Sequence, residues 1–391
     1  MVTETVKGFK DFIGEDALKR EKIKQILVKT FKNYGFEPTE TPIIEYEEFV
    51  KGNNPNQNEG AISDIFKLKD KGERNLALRY ELTFQLKRIA LNKKIPFKRY
   101  QIGEVFRDEP ISSNRFRQFI QCDIDIIGST IRDDAEILKV TSELLKELKI
   151  SAEIFVSNRR LLNEILEKAG IRDNKIKELI IKEIDKLDKL PEREVKENLK
   201  RYKAEKILEI FKKPESFFKK YSNYKEIEEL KKYCDYFGIK FTFQPSLARG
   251  LSYYTGSIFE VKTKNKEMRE SILGGGSYLI NGLQSTGISF GLERISQLAK
   301  VNLDSIKLVI ISINQDKDSI KILQELRQNN ISCLMIDKIS KALEYANSKA
   351  IPYVLFVGED EIKKKKFKLR DMKTGKEEMF SIKDLVEKLS K

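Results

Sequence analysis

Among the 391 residues there is no histidine and no tryptophan, and there are only three cysteines and nine prolines. Without histidine there is no Ser-His or Cys-His nucleophile, no histidine-ligated metal and no imidazole acid–base chemistry. Cys122, Cys234 and Cys333 lie far apart and in no C-x-x-C pair. That argues against a cysteine zinc site and for a reducing, cytoplasmic setting. No apolar run approaches the roughly 20 residues a membrane span needs, so no membrane partner is expected. The N-terminal MVTETVKGFKDF lacks the basic-then-apolar layout of a secretion signal. Whatever this chain does must run on arginines, carboxylates, amides and backbone donors.

Charge is what the chain has in abundance. Lysine and arginine number 75 against 61 acids, a formal net charge of +14, while charged residues make up 35% and hydrophobic ones 40%. Such a chain is globular and can bury sizeable cores. Its positive balance favours a polyanion partner, nucleic acid ahead of a device for solubility alone. The length predicts two or three domains.

The stretch FKRYQIGEVFRDEPISSNRFRQFIQCDIDIIG, residues 97–128, splits into two β-rich runs around a polar loop with Pro110, Ser112, Ser113 and Asn114. It reads as an antiparallel hairpin. Alternation puts Val105 and Arg107 on one face, and Phe119, Gln121, Asp123 and Asp125 on one face of the partner strand. An arginine and acids are poor core material, since a buried charge costs several kcal/mol unless paired. Composition alone allows a solvated face laced with ion pairs as readily as a functional one.

The "VFRDE" strand, the loop and "RFRQFIQCDIDIIG" resemble motif 2 of class II aminoacyl-tRNA synthetases, in its histidyl-tRNA synthetase version. The resemblance extends along the chain. Residues 15–34 carry Ile23, Ile26, Leu27, Phe31 and Tyr34 at helical spacing, closed by Gly35. An extended FEPTETPIIEYEEF with Pro38 and Pro42 follows. This pair resembles motif 1, which implies a homodimer. In NLALRYELTFQLKRIALN, residues 75–92, LALR reads as a strand and Thr83 onward as a helix that Thr83 would cap. QPSLARGLSYYTGSIFEV and SILGGGSYLINGL resemble the two histidine-specific motifs. As a strand, the first would point Tyr253 and Tyr254 to opposite faces. STGISFGLERISQL resembles motif 3, a glycine-bounded strand running into a helix with Arg294.

Between motifs 2 and 3, residues 151–235 read as mostly helical, amphipathic and rich in Lys and Glu, and resemble the family's helical insertion against the tRNA acceptor arm. Beyond Asn302, strands alternate with helices in a small parallel or mixed α/β unit. Its "ALEYANSKAIPYVLFVGEDE" and "LRDMKTG" resemble the anticodon-binding domain of several class II synthetases. Beside that fold the basic run at 363–366 suggests phosphate contacts. The expected fold is therefore α+β. An antiparallel-sheet class II catalytic domain (1–150 and 236–301) would be interrupted by the helical insertion (151–235) and followed by an anticodon-binding domain (302–391).

The resemblance implies a histidine–tRNA ligase that uses ATP and Mg2+, with L-histidine and tRNA(His) as partners. It implies that Arg107 and Arg249 are catalytic, holding the α-phosphate and substrate carboxylate. Phe119, Glu109 and Arg294 would join Arg107 around ATP. Glu81, Thr83 and Gln121 would take the ammonium group, a carboxylate and a hydroxyl being suitable acceptors. Asp125 with Tyr253 or Tyr254 would read the imidazole. Arg115 and Arg117 would reach the tRNA acceptor end; magnesium ligands are not legible in the sequence. Ser252, Ser277 and Leu279 stand where the family usually has Asp, Arg and Asp, and Asp125 where it more often has Glu. Two alternatives remain open: a catalytically idle paralogue acting as a histidine-binding regulatory subunit, and a class II synthetase for glycine, proline or threonine. A histidine-free ligase for histidine could also be translated when charged tRNA(His) runs out, although an AT-rich, lysine-heavy proteome would produce the same absence.

Overall fold

The first helix, α1 (Gly14–Asn33), turns Ile23, Leu27 and Phe31 inward, the i, i+4 spacing of an amphipathic helix. Gly35 then takes φ +75°, a value that favours glycine. The computed structural model describes residues 3–52, 64–112, 115–188, 190–248, 253–264, 268, 271–303 and 306–390. They divide between two units, Met1–Val301 and Asn302–Lys391.

In the first unit, β1 (Glu37–Pro38) and β2 (Ile44–Tyr46) follow α1. The stretch expected to stay extended instead ends in a short helix, α2 (Glu47–Lys51), where Glu47 meets Lys51 at 2.7 Å one turn on. β3 (Lys67–Lys69) and β4 (Asn75–Leu78) complete a small antiparallel sheet in the order β2-β4-β3. The helix expected from Thr83 starts later, as α3 (Leu86–Ile89) with a 3-10 turn at Ala90–Asn92. Thr83 does not cap it. Residues 80–84 are held in another shape, because Tyr80 and Phe84 stack at 5.8 Å and Arg107 and Arg99 donate to the Tyr80 and Leu82 carbonyls.

β5 (Phe97–Phe106) and β6 (Gln118–Ile127) form the expected hairpin. α4 (Ile131–Glu147) follows, its start fixed by Asp133, whose carboxylate accepts from the Thr130 N–H at 2.7 Å. The segment from 151 begins with a strand rather than a helix. β7 (Ala152–Asn158) pairs with the main sheet, because its alternation buries Ile154 and Val156 in the central core. α5 (Arg159–Lys168), α6 (Asn174–Asp185), α7 (Glu192–Lys200) and α8 (Ile207–Phe211) then gather a core of their own around Leu162, Ile180, Val195 and Leu199. α9 (Tyr224–Tyr236) returns to the main core through Ile227, Leu230 and Cys234. The separate helical body is thus shorter than 151–235.

β8 (Thr242–Phe243), β9 (Tyr254–Thr263), β10 (Leu273–Ile280) and β11 (Leu283–Gly291) complete an eight-stranded sheet, and α10 (Leu292–Leu298) follows. The strand order is β1-β5-β6-β11-β10-β9-β7-β8, antiparallel except for the outermost pairs β1–β5 and β7–β8. One face carries the core: Ile124, Phe259, Ile288 and Phe290 meet Ile23, Leu27, Leu138 and Leu292 from the helices. Period-2 alternation sends the neighbouring residues to the opposite face, and the site lies there.

The second unit runs β12 (Leu308–Ser312), α11 (Asp316–Gln328), β13 (Cys333–Ile336), α12 (Ile339–Ser348), β14 (Tyr353–Val357), α13 (Glu359–Lys364), β15 (Phe367–Asp371), β16 (Glu377–Phe380) and α14 (Ile382–Ser390). Its sheet, β13-β12-β14-β15-β16, is parallel across the first three strands and antiparallel beyond. This is the expected mixed α/β unit, with one unanticipated helix, α13. The basic run begins at its end, where Lys363 pairs with Glu359 at 2.5 Å.

Candidate active site

The hairpin register sets the site. Val105 pairs with Phe119, Gly103 with Gln121, Gln101 with Asp123, and Arg99 with Asp125. The polar row is buried, not solvated: Arg99 is 0% exposed, Asp123 4% and Asp125 3%. Burial at that level requires pairing, and Arg99 Nη2 lies 2.7 Å from Asp125 Oδ2. Tyr278, from β10, donates its hydroxyl to Asp125 Oδ1. The carboxylate fits because residue 287, opposite it on β11, is glycine. A Cβ there would sit 2.2 Å from Asp125 Oδ1. Gly275 is constrained in the same way, since a Cβ would lie 2.1 Å from the Gly287 carbonyl.

Further along the same strand face opens a cleft of about 220 Å³, lined among others by Arg107, Glu109, Arg115, Phe119, Gln121 and Arg294. Arg107 follows directly on β5. Its Nε donates to the Tyr80 carbonyl at 3.0 Å, and its guanidinium carbon lies 5.1 Å from the Phe119 ring centre. Glu109 holds Arg115 at 3.2 Å and stands 3.7 Å from Arg107. Arg294 donates to the Ser271 carbonyl at 2.6 Å. Gln121 Nε2 donates to Ser289 Oγ at 2.9 Å, while its carbonyl oxygen has no hydrogen-bond partner among the described residues. Glu293 anchors the cleft from below, accepting from Arg20 at 2.9 Å and from the Ile120 N–H at 3.1 Å.

Beside Arg107 lies a group of buried acids. Burial pushes Glu81 up to about 7, against the pull of Arg107 and with repulsion from Asp125. Burial likewise lifts Asp123 to about 7, against the pull of Arg99. Asp125 is raised by burial and drawn back by Arg99 and Tyr278. The raised pKa values of Glu81 and Asp123 reflect the cost of ionising several carboxylates together in a buried region. Such a pocket suits a ligand that brings a cation.

The structure thus brings Arg107, Glu109, Arg115, Phe119, Gln121 and Arg294 together around one cleft, with Glu81 and Asp125 buried alongside. Tyr253 and Tyr254 do not point apart, because β9 begins at Tyr254 and Tyr253 lies in the turn before it. Their rings sit 4.7 Å apart in one cluster with Tyr278. Thr83 is half-buried in the turn beside Glu81. Arg117 does not line the cleft and pairs with Asp108 at 3.1 Å. Arg249 and Ser252 lie outside the described residues. Sequence reasoning missed Arg99, Tyr278, Glu293 and Ser289. Counting the alternation back from Val105 would have put Arg99 on the same strand face as Arg107.

Family comparison agrees with this geometry. The sequence profile described as Histidyl-tRNA synthetase matches residues 8–295, and one described as Anticodon binding domain matches residues 307–391. The chain belongs to the histidyl-tRNA synthetase family. It is 35% identical to histidine–tRNA ligase 1 of Bacillus cereus over 416 residues, which cover 96% of this chain and 95% of that protein. It is 31% identical to the histidine–tRNA ligase of Borreliella afzelii, covering 97% and 95%. The crystal structure of histidyl-tRNA synthetase from Nostoc sp. PCC 7120 superposes with a TM-score of 0.86 at 25% identity, covering 100% and 99% of the two chains. The α+β architecture with its antiparallel sheet and C-terminal anticodon-binding domain is that of the family.

Proposed function

We propose that the chain is a histidine–tRNA ligase that activates L-histidine with ATP and transfers it to tRNA(His). The observation that carries this is the juxtaposition on one sheet face. Arg107 and Arg294 border a cleft that Gln121 also lines, and the buried Asp123 and Asp125 continue the Gln121 row on the same strand face. In the first step a histidine carboxylate oxygen attacks the α-phosphorus and pyrophosphate leaves. The attacking group is already an anion, so no general base is needed; the demand is for positioning and for neutralising charge on phosphate. Arginine suits that task because it is always charged and binds two oxygens at once. In the second step a ribose hydroxyl at the tRNA 3′ end attacks the carbonyl carbon and AMP leaves.

We assign the α-phosphate and substrate carboxylate to Arg107 and Arg249, and the outer phosphates and adenine to Arg294. Phe119 would stack on the adenine, with Glu109 near its amino group. Glu81, Thr83 and Gln121 take the ammonium; Asp125 and Tyr254, with Tyr253 beside it, take the imidazole. Arg115 and Arg117 face the acceptor end of the tRNA. Among the described residues no group of three or more carboxylates or thiols forms a metal cage. Magnesium bound together with ATP would shield charge on the phosphates. The division of labour follows the sequence motifs: a catalytic body, a helical insertion on the acceptor arm, and an anticodon-binding unit from residue 302.

Homodimerisation through the motif 1 segment is supported by Ile43, Ile44 and Tyr46, which are 40%, 50% and 52% exposed. No described helix is long and apolar enough to cross a membrane, and a cytoplasmic location is proposed with the rest. The regulatory-subunit alternative is disfavoured by the matched anticodon-binding segment at 307–391. Charging of a tRNA(His) transcript with labelled histidine tests the proposal. Histidine-dependent charging is expected, and binding of histidine without charging would return the regulatory reading.

A further inference from the structure

Arg99 is the largest fully buried side chain of the protein, and nothing above gives it a task. Its guanidinium joins two segments that the proposed function places around one amino acid. Nη2 lies 2.7 Å from Asp125 Oδ2 and donates to the Leu82 carbonyl at 2.8 Å. Leu82 stands between Glu81 and Thr83, on the ammonium side of the pocket, and Asp125 stands on the imidazole side. The rung that sets Arg99 opposite Asp125 fixes the distance between strands. The Leu82 bond holds the guanidinium in place.

From this geometry we propose that Arg99 is a positioning residue for amino-acid specificity, keeping the Asp125 carboxylate ionised and aimed at the substrate's imidazole. Asp125 Oδ1 is occupied by the Tyr278 hydroxyl. Oδ2 makes the ion pair with Arg99 but has no directed hydrogen bond among the described residues. That oxygen is assigned to accept an N–H from the ring. A neutral carboxyl would put a proton where an acceptor is needed. An apolar side chain offers Oδ2 no donor and leaves it unpaired, so discrimination would follow from the unmet bond.

The acids facing Asp125 oppose its ionisation, whereas Arg99 and the donating Tyr278 hydroxyl favour it. Glu81 approaches from the 80–84 turn, Asp123 from the same face of β6, and Tyr253, Tyr254 and Tyr278 from β9, its leading turn and β10. Burial raises the pKa of Asp125, and Arg99 is the main influence drawing it down.

The inference rests on the histidine-ligase reading, and one set of kinetic measurements separates the two. Histidine-dependent ATP–pyrophosphate exchange is measured for the wild-type full chain, Arg99→Met, Arg99→Lys, Asp125→Asn and the double variant Arg99→Met/Asp125→Asn. Arg99→Met should raise KM for histidine about 50-fold while KM for ATP stays within about twofold of wild type. In that variant KM for histidine should fall as pH rises from about 6 to about 9, because Asp125 then ionises only at higher pH. Arg99→Lys should recover part of the loss. In the Asp125→Asn background the same Arg99→Met change should cost less than about threefold, since its effect acts through Asp125. If Arg99→Met is too unstable to assay, Arg99→Lys and the charge-neutral double variant carry the test. A histidine KM unchanged in Arg99→Met, or a full Arg99 effect surviving in the Asp125→Asn background, overturns the inference alone. No histidine dependence in the wild type overturns the ligase reading and the inference with it.

Discussion

Glu293 offers a sharp test of how the cleft is held. Its carboxylate accepts from Arg20 at 2.9 Å and from the Ile120 N–H at 3.1 Å, with the two side chains only 7% and 9% exposed. Glu293→Ala leaves a guanidinium buried without its carboxylate, keeping only the Phe12 ring 3.7 Å away, and leaves the Ile120 donor unmet. Breaking a buried pair from one side costs about 3–5 kcal/mol, and the unmet N–H adds roughly 1 kcal/mol. At ~2–4 °C per kcal/mol for a unit of this size, the melting transition should drop by roughly 8–24 °C. Glu293→Gln keeps an acceptor for Ile120 and should lose about half as much. The effect should also reach ATP, because Glu293 precedes Arg294 and Ile120 follows Phe119. KM for ATP should rise more than KM for histidine. Calorimetry of the full chain, with exchange kinetics on both substrates, reads both outcomes. A transition within about 2 °C of wild type would refute the reasoning, because it would mean that the buried pair adds nothing.

Three further outcomes follow from the same geometry. Glu81 and Asp123 carry folded-state pKa values raised to about 7, and Asp134 one raised to about 6. The folded chain therefore binds protons that the unfolded chain has released. Stability should fall as pH rises from about 4 to about 7 through these groups, and Asp123→Asn should flatten that slope in denaturant titrations at pH 5, 6, 7 and 8. Phe119→Ala should raise KM for ATP about tenfold through loss of base stacking, with Phe119→Tyr near wild type in the same exchange assay. Replacing Lys364 and Lys366 with histidine should leave the purified enzyme intact but slow the host's recovery from histidine starvation; unchanged recovery would make the histidine-free composition an accident of codon usage.

The hairpin of residues 97–128 was legible because alternation and a polar loop define it without tertiary help. Counting by two places Arg99 on the same face as Val105, but its pairing with Asp125 needs the register, which the structure supplies. What stayed hidden was the depth of burial: a row of Arg, Gln and Asp reads as solvated until β11 and β10 are known to cover it. The helix expected from Thr83 starts at Leu86, because the shape of the 80–84 turn is set from a distance. Arg99 and Arg107 bind the Leu82 and Tyr80 carbonyls, and local propensity carries no trace of that. β7 was absorbed into the insertion because seven residues of strand are easily lost ahead of a long Lys- and Glu-rich helical stretch. Glu293 and Ser289 act through partners more than 160 residues away, which no local pattern reveals. Within the second unit the strand and helix alternation was plain, and α13 escaped notice because its six residues are mostly charged and bury none of their number.

Pyrophosphate exchange measured across all twenty amino acids, with wild type and Arg107→Ala side by side, bears most directly on the proposed activity. Exchange with wild type should depend on histidine alone. Arg107→Ala should lower it by a factor on the order of 100 while the chain stays folded, as loss of one preorganised donor to the transition state does. Exchange driven by another amino acid, exchange with none, or an Arg107→Ala variant as active as wild type would contradict the assignment.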